Sequence, residues 1–539
     1  MSANLDQVLR NAQNKIRGPG GAIAIVQKGE VATHHVWGYA DMDRAIPMRT
    51  NTQIPICSIS KQMVCLVMVD LIRDPTPAAK AGGDVTAQLQ TELETRLPQL
   101  AGKVTIQQLC NMSSGIRDYW AETVLWGSKP DGIFSATDDA TAALNRTRSF
   151  HFEPGTEYSY SNVNFHILAR IIENVAGQSL GQLLSQRVFI PAGMETASLC
   201  PNNAALPLPI VGYECTEQTG YFAAINRMEW SGDAGVVGSL EDMIAYEKWL
   251  HRSWSDPKSI YRTIAEPQSF KDGTPARYGF GLAHGETVGT KWLGHGGALR
   301  GFRLMRVHAP SEEVSVVVML NHETDPSGAA DLILKGALQL QEPTTASVSP
   351  SPEWMGSFLD EDTKLLVRVE AGSKDGEISI SYDRARAPVK LTGIKTATSR
   401  AMEASIDGDV LHINRITDNR VLRAKRLAKR PDPETEDLSF TKDYLGEYHC
   451  SDSESSFRCT GEGTVLYGFF SGYLADGRNG PAHLMRYVAE DVWLLACPRG
   501  LDAQPPGDWT VCFHRDSNGA VCGATIGCWL ARLNEYVRK

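Results

Sequence analysis

The chain of 539 residues contains no stretch approaching the ~20 consecutive apolar residues that span a bilayer as a helix. Its first residues carry Leu5, Val8, Leu9, Ala12 and Ile16 at helical spacing with polar residues between them, not the uninterrupted apolar core of a secretion signal. The eleven cysteines form no C-x-x-C pair and no disulfide-like framework, which fits a reducing compartment. These absences predict a cytoplasmic protein. Basic charge is also in short supply: 53 Lys and Arg against 63 Asp and Glu give a net charge of −10, and the two signs are interspersed. Without a basic stripe, neither nucleic acid nor a membrane surface is expected as a partner.

At this length one core is too few, and 42% hydrophobic residues suffice for several. A Pro/Ser/Thr-rich stretch at 342–353 and a charged one at 430–437 divide the chain. The predicted domains are therefore 1–341, 342–430 and 431–539. The first mixes strands and helices: a hairpin over Ala22 to Trp37, an amphipathic helix over Asn162 to Val175 and a buried strand over Val314 to Leu320. The other two alternate short apolar and polar stretches between Gly, Asp and Asn turns, and read as small antiparallel β-barrels or sandwiches. They resemble one unit used twice. Trp354-Met-Gly-Ser-Phe358 matches Tyr444-Leu-Gly-Glu-Tyr448, and Val410-Leu-His-Ile-Asn414 is paired with Val492-Trp-Leu-Leu-Ala496.

Chemistry is signalled first by Ser58-Ile-Ser-Lys61, which runs into a helix of almost continuous apolar residues. Residues at i and i+3 share a helix face, so the Ser58 hydroxyl and the Lys61 amine fall within reach of each other. A lysine buried there has its pKa lowered towards that of a working base for a serine nucleophile. Ser-x-x-Lys recurs at Ser255 to Lys258 and at Ser439 to Lys442, both in polar context. Two further motifs follow. Tyr160-Ser-Asn162 opens the predicted helix, where a tyrosine can relay a proton and an asparagine can bond both Lys61 and a substrate amide. His295-Gly-Gly-Ala298 precedes a strand, and its glycines permit close backbone approach, so that the Ala298 N–H can join the Ser58 N–H as an oxyanion hole. Taken singly, these segments read as an N-cap with a solvated lysine, a turn into a helix cap and a turn histidine.

In this order and at these separations the three motifs resemble those of the penicillin-recognising serine hydrolases: class C β-lactamases, D,D-carboxypeptidases, related esterases and D-aminopeptidases. Val104 to Leu109, Ser113-Ser-Gly-Ile116, Pro191-Ala-Gly-Met194, Asp233-Ala-Gly-Val236 and Tyr278-Gly-Phe-Gly281 extend the likeness over most of residues 15 to 335. The resemblance implies an α+β, β-lactamase/D,D-peptidase-like catalytic domain followed by two small antiparallel β-barrels, an acyl-enzyme on Ser58, and no cofactor or metal. Where lactamases and carboxypeptidases usually carry Lys-Thr/Ser-Gly, this chain has His295 and Gly296, which weakens carboxylate binding and disfavours penicillins and C-terminal D-Ala-D-Ala.

The appended β domains point within that family to the D-aminopeptidases. That likeness implies a small peptide or amide substrate with a free N-terminal D-residue. It makes Ser58, Lys61, Tyr160 and His295 catalytic, and Asn162 and Ala298 substrate-binding. A Gly-rich loop at 471–480 of the last domain would reach the site and offer Asp476 to the substrate ammonium, with Asp118 and Asp233 next in line. Without the likeness, 471–480 reads as an exposed loop. An esterase or weak β-lactamase on the same scaffold, or a silent penicillin-binding-like sensor, are the rival readings, and a two-fold homodimer is the default assembly.

Overall fold

The computed structural model describes residues 4–341, 348–382, 386–428, 439–463, 465–475, 480–497, 500–501 and 507–539. The second linker expectation, 430–437, and the first half of the other, 342–347, lie outside them.

Residues up to 340 are built on an eight-stranded antiparallel sheet. Its spatial order is Ile46–Pro47, Glu30–Asp41, Gly20–Gln27, Val314–Leu320, Phe302–Ala309, Thr290–Leu299, Leu282–Thr287 and Tyr278–Gly279. The central strands are apolar on both faces, because both are covered. In Gly20–Gln27 the period-2 alternation sends Ile23 and Ile25 towards the helices Leu5–Gln13 and Pro326–Leu338, while Ala22 and Ala24 face the large core on the other side. That core holds the helical lobe, centred on the helix Ser60–Arg73. The helix Asn162–Ala176 packs beside it and is buried almost all round, so the amphipathic pattern expected from sequence gives way to a helix wrapped by neighbours on every face.

Two closed eight-stranded antiparallel barrels follow, one from Gly356–Asp360 to Arg420–Arg426 and one from Gly446–Cys450 to Ala531–Arg538, each with strands in chain order. Barrels are the outcome, not sandwiches. They close alike: Phe358 pairs with Arg426 and Tyr448 with Arg538, and each arginine lies over the ring of its aromatic partner, at 4.5 and 5.9 Å. The aromatic-x-Gly-x-aromatic openings are therefore structurally equivalent. The second matched pair is not: Val410–Arg415 is the seventh strand of its barrel, whereas Val492–Leu495 is the fifth of its own, and the positional counterpart of the former is Val521–Cys528. Alternating strands of one barrel resemble each other enough for register by sequence to slip.

Both barrels dock on the catalytic part. The helix Tyr119–Leu125 sends Ala121, Val124 and Leu125 into the core cluster of the last barrel, and Trp529 of that barrel joins the core of the first. Glu157 receives Arg420 from the first barrel at 2.8 Å and Arg532 from the last at 3.0 Å.

Candidate active site

Ser58 lies in the 3₁₀ turn Cys57–Ile59 that leads into the helix Ser60–Arg73. No side chain caps that helix, so Ser58 is not an N-cap. Cys57 holds φ at +54°, an uncommon conformation for a non-glycine residue, immediately before the serine. The turn is pinned from outside by Thr290–Leu299: a Cβ on Gly297 would come within 2.6 Å of the Ile56 carbonyl oxygen, so glycine is needed for the strand to pass this closely. Gly281 does the same on the other flank, where a Cβ would meet the backbone nitrogen of Gln62 at 2.6 Å.

Lys61 is fully buried. Its Nζ donates to Ser58 Oγ at 2.9 Å, Asn162 Oδ1 at 2.9 Å and the Asp233 carbonyl at 2.6 Å. The spacing argument for Ser58 and Lys61 thus holds in three dimensions. Of the two other Ser-x-x-Lys sequences, Ser255 and Lys258 are exposed, and Ser439 begins the short 3₁₀ segment Ser439–Tyr444 ahead of the last barrel. Tyr160 is hydrogen-bonded to Ser58 and its ring lies 4.9 Å from Lys61 Nζ. Burial pushes the Tyr160 phenol well above its ordinary value despite that bond, so it rests protonated.

His295 makes two bonds with its ring. Nδ1 lies 2.5 Å from the carbonyl oxygen of Gly296, which can only accept, so Nδ1 carries the hydrogen. Nε2 then accepts from the Tyr278 hydroxyl at 2.9 Å. Burial, reinforced by the Lys61 charge, lowers the pKa of His295 to about 3. A neutral imidazole with both nitrogens engaged orients its surroundings; it does not exchange protons near neutral pH.

Asn162 is fixed by Asp118, whose Oδ1 accepts from the Asn162 backbone N–H at 2.7 Å and from Nδ2 at 3.3 Å. Asp233 does not face the cavity. Its carboxylate takes the Tyr119 hydroxyl at 2.7 Å and the Ser231 N–H at 2.8 Å, locking the turn whose carbonyl receives Lys61. Ser58, Tyr160, Asn162, His295 and Ala298 wall one cavity of about 510 Å³, with Lys61 directly behind Ser58.

The cavity has further walls, and of those named next sequence reasoning offers only Asp118, as a candidate acid for the substrate ammonium. Asp118 and Trp230 come from the catalytic part, Arg415 and Asp418 from the first barrel, and Trp529 and Leu530 from the last. Asp476 lies outside the described residues. The described flanks of its loop pack on the catalytic part: the Tyr473 ring lies 5.0 Å from that of Trp126, the Leu474 N–H donates to the Trp126 carbonyl, and Gly480 lies against Gly127. Among the described residues no group of three or more His, Cys, Asp or Glu is placed to hold a metal ion.

A Beta-lactamase family model matches residues 5–340, and one described as D-aminopeptidase, domain B matches residues 347–537. A D-aminopeptidase of Brucella melitensis biotype 2 is 40% identical over 524 residues, covering 97% of this chain and 96% of that relative. The chain belongs to the D-aminopeptidases of the β-lactamase family. A second D-aminopeptidase, from Cereibacter sphaeroides, is likewise 40% identical, over 99% of this chain and 98% of its own length. Among solved structures the fold is shared with the octameric penicillin-binding protein homologue of Pyrococcus abyssi, with a TM-score of 0.52 at 17% identity, covering 78% of this chain and 99% of that one. The D-amino acid amidase of Ochrobactrum anthropi SV3 gives 0.50 at 17% identity, covering 62% and 99%.

Proposed function

We propose that this chain is a D-stereospecific aminopeptidase, which releases N-terminal D-residues, D-alanine-like in size, from peptides, amides and esters through an acyl-enzyme on Ser58. The observation that carries the reading is the contact of Lys61 Nζ with both Ser58 Oγ and Asn162 Oδ1, in a chain 40% identical to a D-aminopeptidase over 97% of its length. Ser58 attacks the carbonyl of the N-terminal residue, and its proton passes to Lys61. The N–H groups of Ser58 and Ala298 hold the oxyanion, and Asn162 positions the amide. Tyr160, protonated at rest, gives its proton to the departing amine, and the phenolate is reprotonated by the Lys61 ammonium that took the Ser58 proton. Water then cleaves the ester.

The substrate ammonium needs an acid in a desolvated site. Asp118 has the placement for it, in the cavity wall beside Asn162; Asp476 is the alternative that the family likeness supplies. All eleven cysteines are unpaired and no helix among the described residues is long and apolar enough to cross a membrane, which supports a cytoplasmic setting. A homodimer remains the default assembly, to be read by sedimentation.

The test is a panel of D- and L-alanine p-nitroanilides, amides and esters, free and N-acetylated, with a chromogenic cephalosporin beside them. Cleavage confined to free-amine D-substrates is the expected result. Equal turnover of N-acetylated or L-substrates, or preferential opening of the cephalosporin, overturns the reading in favour of an esterase or β-lactamase. Asp118→Asn and Asp476→Asn, run on the same panel, identify the ammonium-binding acid as the one whose loss selectively depresses free-amine substrates.

A further inference from the structure

The amine behind Ser58 is aimed by two oxygen acceptors. A neutral Lys61 takes the Ser58 proton on its lone pair, and that lone pair faces Ser58 Oγ when the two amine hydrogens go to the other partners, Asn162 Oδ1 at 2.9 Å and the Asp233 carbonyl at 2.6 Å. Each acceptor is held in turn. Asn162 hangs on Asp118, whose Oδ1 accepts from its backbone N–H and from Nδ2. Asp233 hangs on Tyr119: the Tyr119 hydroxyl donates to Oδ2 at 2.7 Å while the Ser231 N–H donates to Oδ1 at 2.8 Å. Both supports of the base are thus fixed by two consecutive residues, Asp118 and Tyr119.

Their own surroundings are firm. Tyr119 and Asp233 are buried, and the Tyr119 ring packs at 4.4 Å on Trp120 and edge-on at 5.6 Å to Phe134. The Asp118 N–H donates to the Leu530 carbonyl of the last barrel, and the helix Tyr119–Leu125 runs from there into the core of that barrel. On its far side the stretch after Asp233 closes back on the nucleophile: the Ile56 N–H donates to the Val236 carbonyl at 2.9 Å, and the Val236 N–H to Ser60 Oγ at 3.2 Å. A shift of Asp233 is therefore felt both at Lys61 and at the turn that carries Ser58.

We infer that Tyr119 is a positioning residue for the reaction: its hydroxyl fixes the Asp233 carboxylate, and through it the carbonyl that aims Lys61 at Ser58. A buried carboxylate that loses a donor turns towards another one, because an unsatisfied buried charge is costly, and it takes the carbonyl of its own residue with it. Tyr119 acts from behind the cavity and is not among the residues that wall it. This role rests on the serine chemistry proposed for Ser58 and Lys61 and holds for any substrate they cleave.

Tyr119→Phe keeps the ring and removes the hydroxyl. Two rates are read in the full-length protein, with circular dichroism to show folding: turnover of D-alanine p-nitroanilide, and labelling of Ser58 by a fluorophosphonate. In the labelling the serine oxygen bonds to phosphorus, fluoride leaves and Lys61 takes the proton, so the base is needed but substrate recognition is not. Both kcat and the labelling rate are expected to fall about 10- to 100-fold with KM changed less than about two-fold, the loss that follows when a base is displaced slightly. Tyr448→Phe, which takes a buried hydroxyl from the Tyr444 carbonyl inside the last barrel, loses a hydrogen bond of the same kind and should keep both rates. Asp233→Ala removes the other end of the Tyr119 bond; its fall in labelling should not multiply with that of Tyr119→Phe in the double variant, since the two residues act as one unit. An unchanged labelling rate in folded Tyr119→Phe, an equal fall in Tyr448→Phe, or falls that multiply in the double variant overturn the role. A wild-type Ser58 that is not labelled overturns the role and the serine mechanism together. Labelling of Ser58 without cleavage of any D-alanine compound overturns the aminopeptidase reading alone, so the two failures are told apart.

Discussion

The three partners of Lys61 Nζ fix the amine in place, and one of them is the nucleophile itself. Ser58→Ala is therefore expected to abolish turnover while leaving the fold intact, and Lys61→Ala to lower kcat by at least ~10³. Full activity in either variant, assayed on D-alanine p-nitroanilide, removes that residue from the mechanism. Tyr160→Phe deletes a phenol held protonated by burial, and kcat should drop by roughly 10² to 10⁴. Titration makes a separate prediction for stability. Burial holds His295 at about 3 and His166 and His322 at about 4, so all three stay neutral in the fold, while in the unfolded chain they bind protons below about 6.5. Their contribution is intact above that pH and drains as pH falls towards 4. Glu122 opposes them: burial raises it to about 7, so it regains its proton in the fold as pH falls and recovers stability between 7 and 4.5. With His151 and His308 also held well below the ordinary value by burial, the histidines outnumber Glu122, so stability falls as pH drops from roughly 6.5 to 4.5. Urea unfolding at three pH values across that window measures it; a flat profile contradicts the burial argument. At this scale the sequence was legible where chemistry is local. Ser58 with Lys61, Tyr160 with Asn162, and His295 with Ala298 each sit within one short motif. Tyr278 stood in a recognised stretch, yet its bond to His295 spans a hairpin and carries no spacing signal.

At the scale of elements, the site depends on one strand lying tightly against one turn. Thr290–Leu299 continues past its pairing with Leu282–Thr287, which ends at Gly294, and its remaining residues pack on Cys57–Ile59. Gly297→Ala places a methyl 2.6 Å from the Ile56 carbonyl and 3.1 Å from Cys57 Cβ, and backbone cannot step aside cheaply. The strand and the nucleophile turn should separate by a fraction of an ångström, with kcat falling by about 10². Gly296→Ala is the steric control, because the nearest atom to its Cβ is 3.7 Å away. Equal folding of the two variants with equal kcat argues against the close approach. The α+β sheet, the paired helices and two β domains were readable from period-2 and helical patterning. The slip between Val410 and Val492 shows where that ends: alternation fixes which face a residue takes, and the ladder that fixes register is made with residues far along the chain.

At the scale of the molecule, catalysis and the barrels meet at Glu157, three residues before Tyr160. Its two carboxylate oxygens hold Arg420 of the first barrel and Arg532 of the last, and the Arg532 side chain is 1% exposed. Contacts of this kind were out of reach of sequence reading, since Arg415, Asp418, Trp529 and Leu530 come to the cavity through docking of separately closed barrels. Next to the clamp, the Arg117 guanidinium donates to the Arg532 carbonyl at 2.9 Å and the Asp118 N–H to the Leu530 carbonyl at 3.0 Å, so both segments that carry site residues are tied to a barrel. Glu157→Gln keeps the shape but leaves the buried Arg532 guanidinium without its anion, while Arg420 keeps Asp362 at 3.0 Å. Breaking a buried pair in this way typically costs ~3 to 5 kcal/mol, whereas the exposed pair of Lys271 and Glu153 is worth under ~1 kcal/mol. Glu157→Gln should thus lower the midpoint of thermal unfolding clearly and Glu153→Gln hardly at all. Because Tyr158 and Tyr160 follow directly, Glu157→Gln should also lower kcat at a temperature where the variant is fully folded. Unchanged midpoint and unchanged kcat would mean that the barrels are held by their apolar contacts through Tyr119–Leu125 and Trp529, and that the clamp adds nothing to the placement of the proton donor.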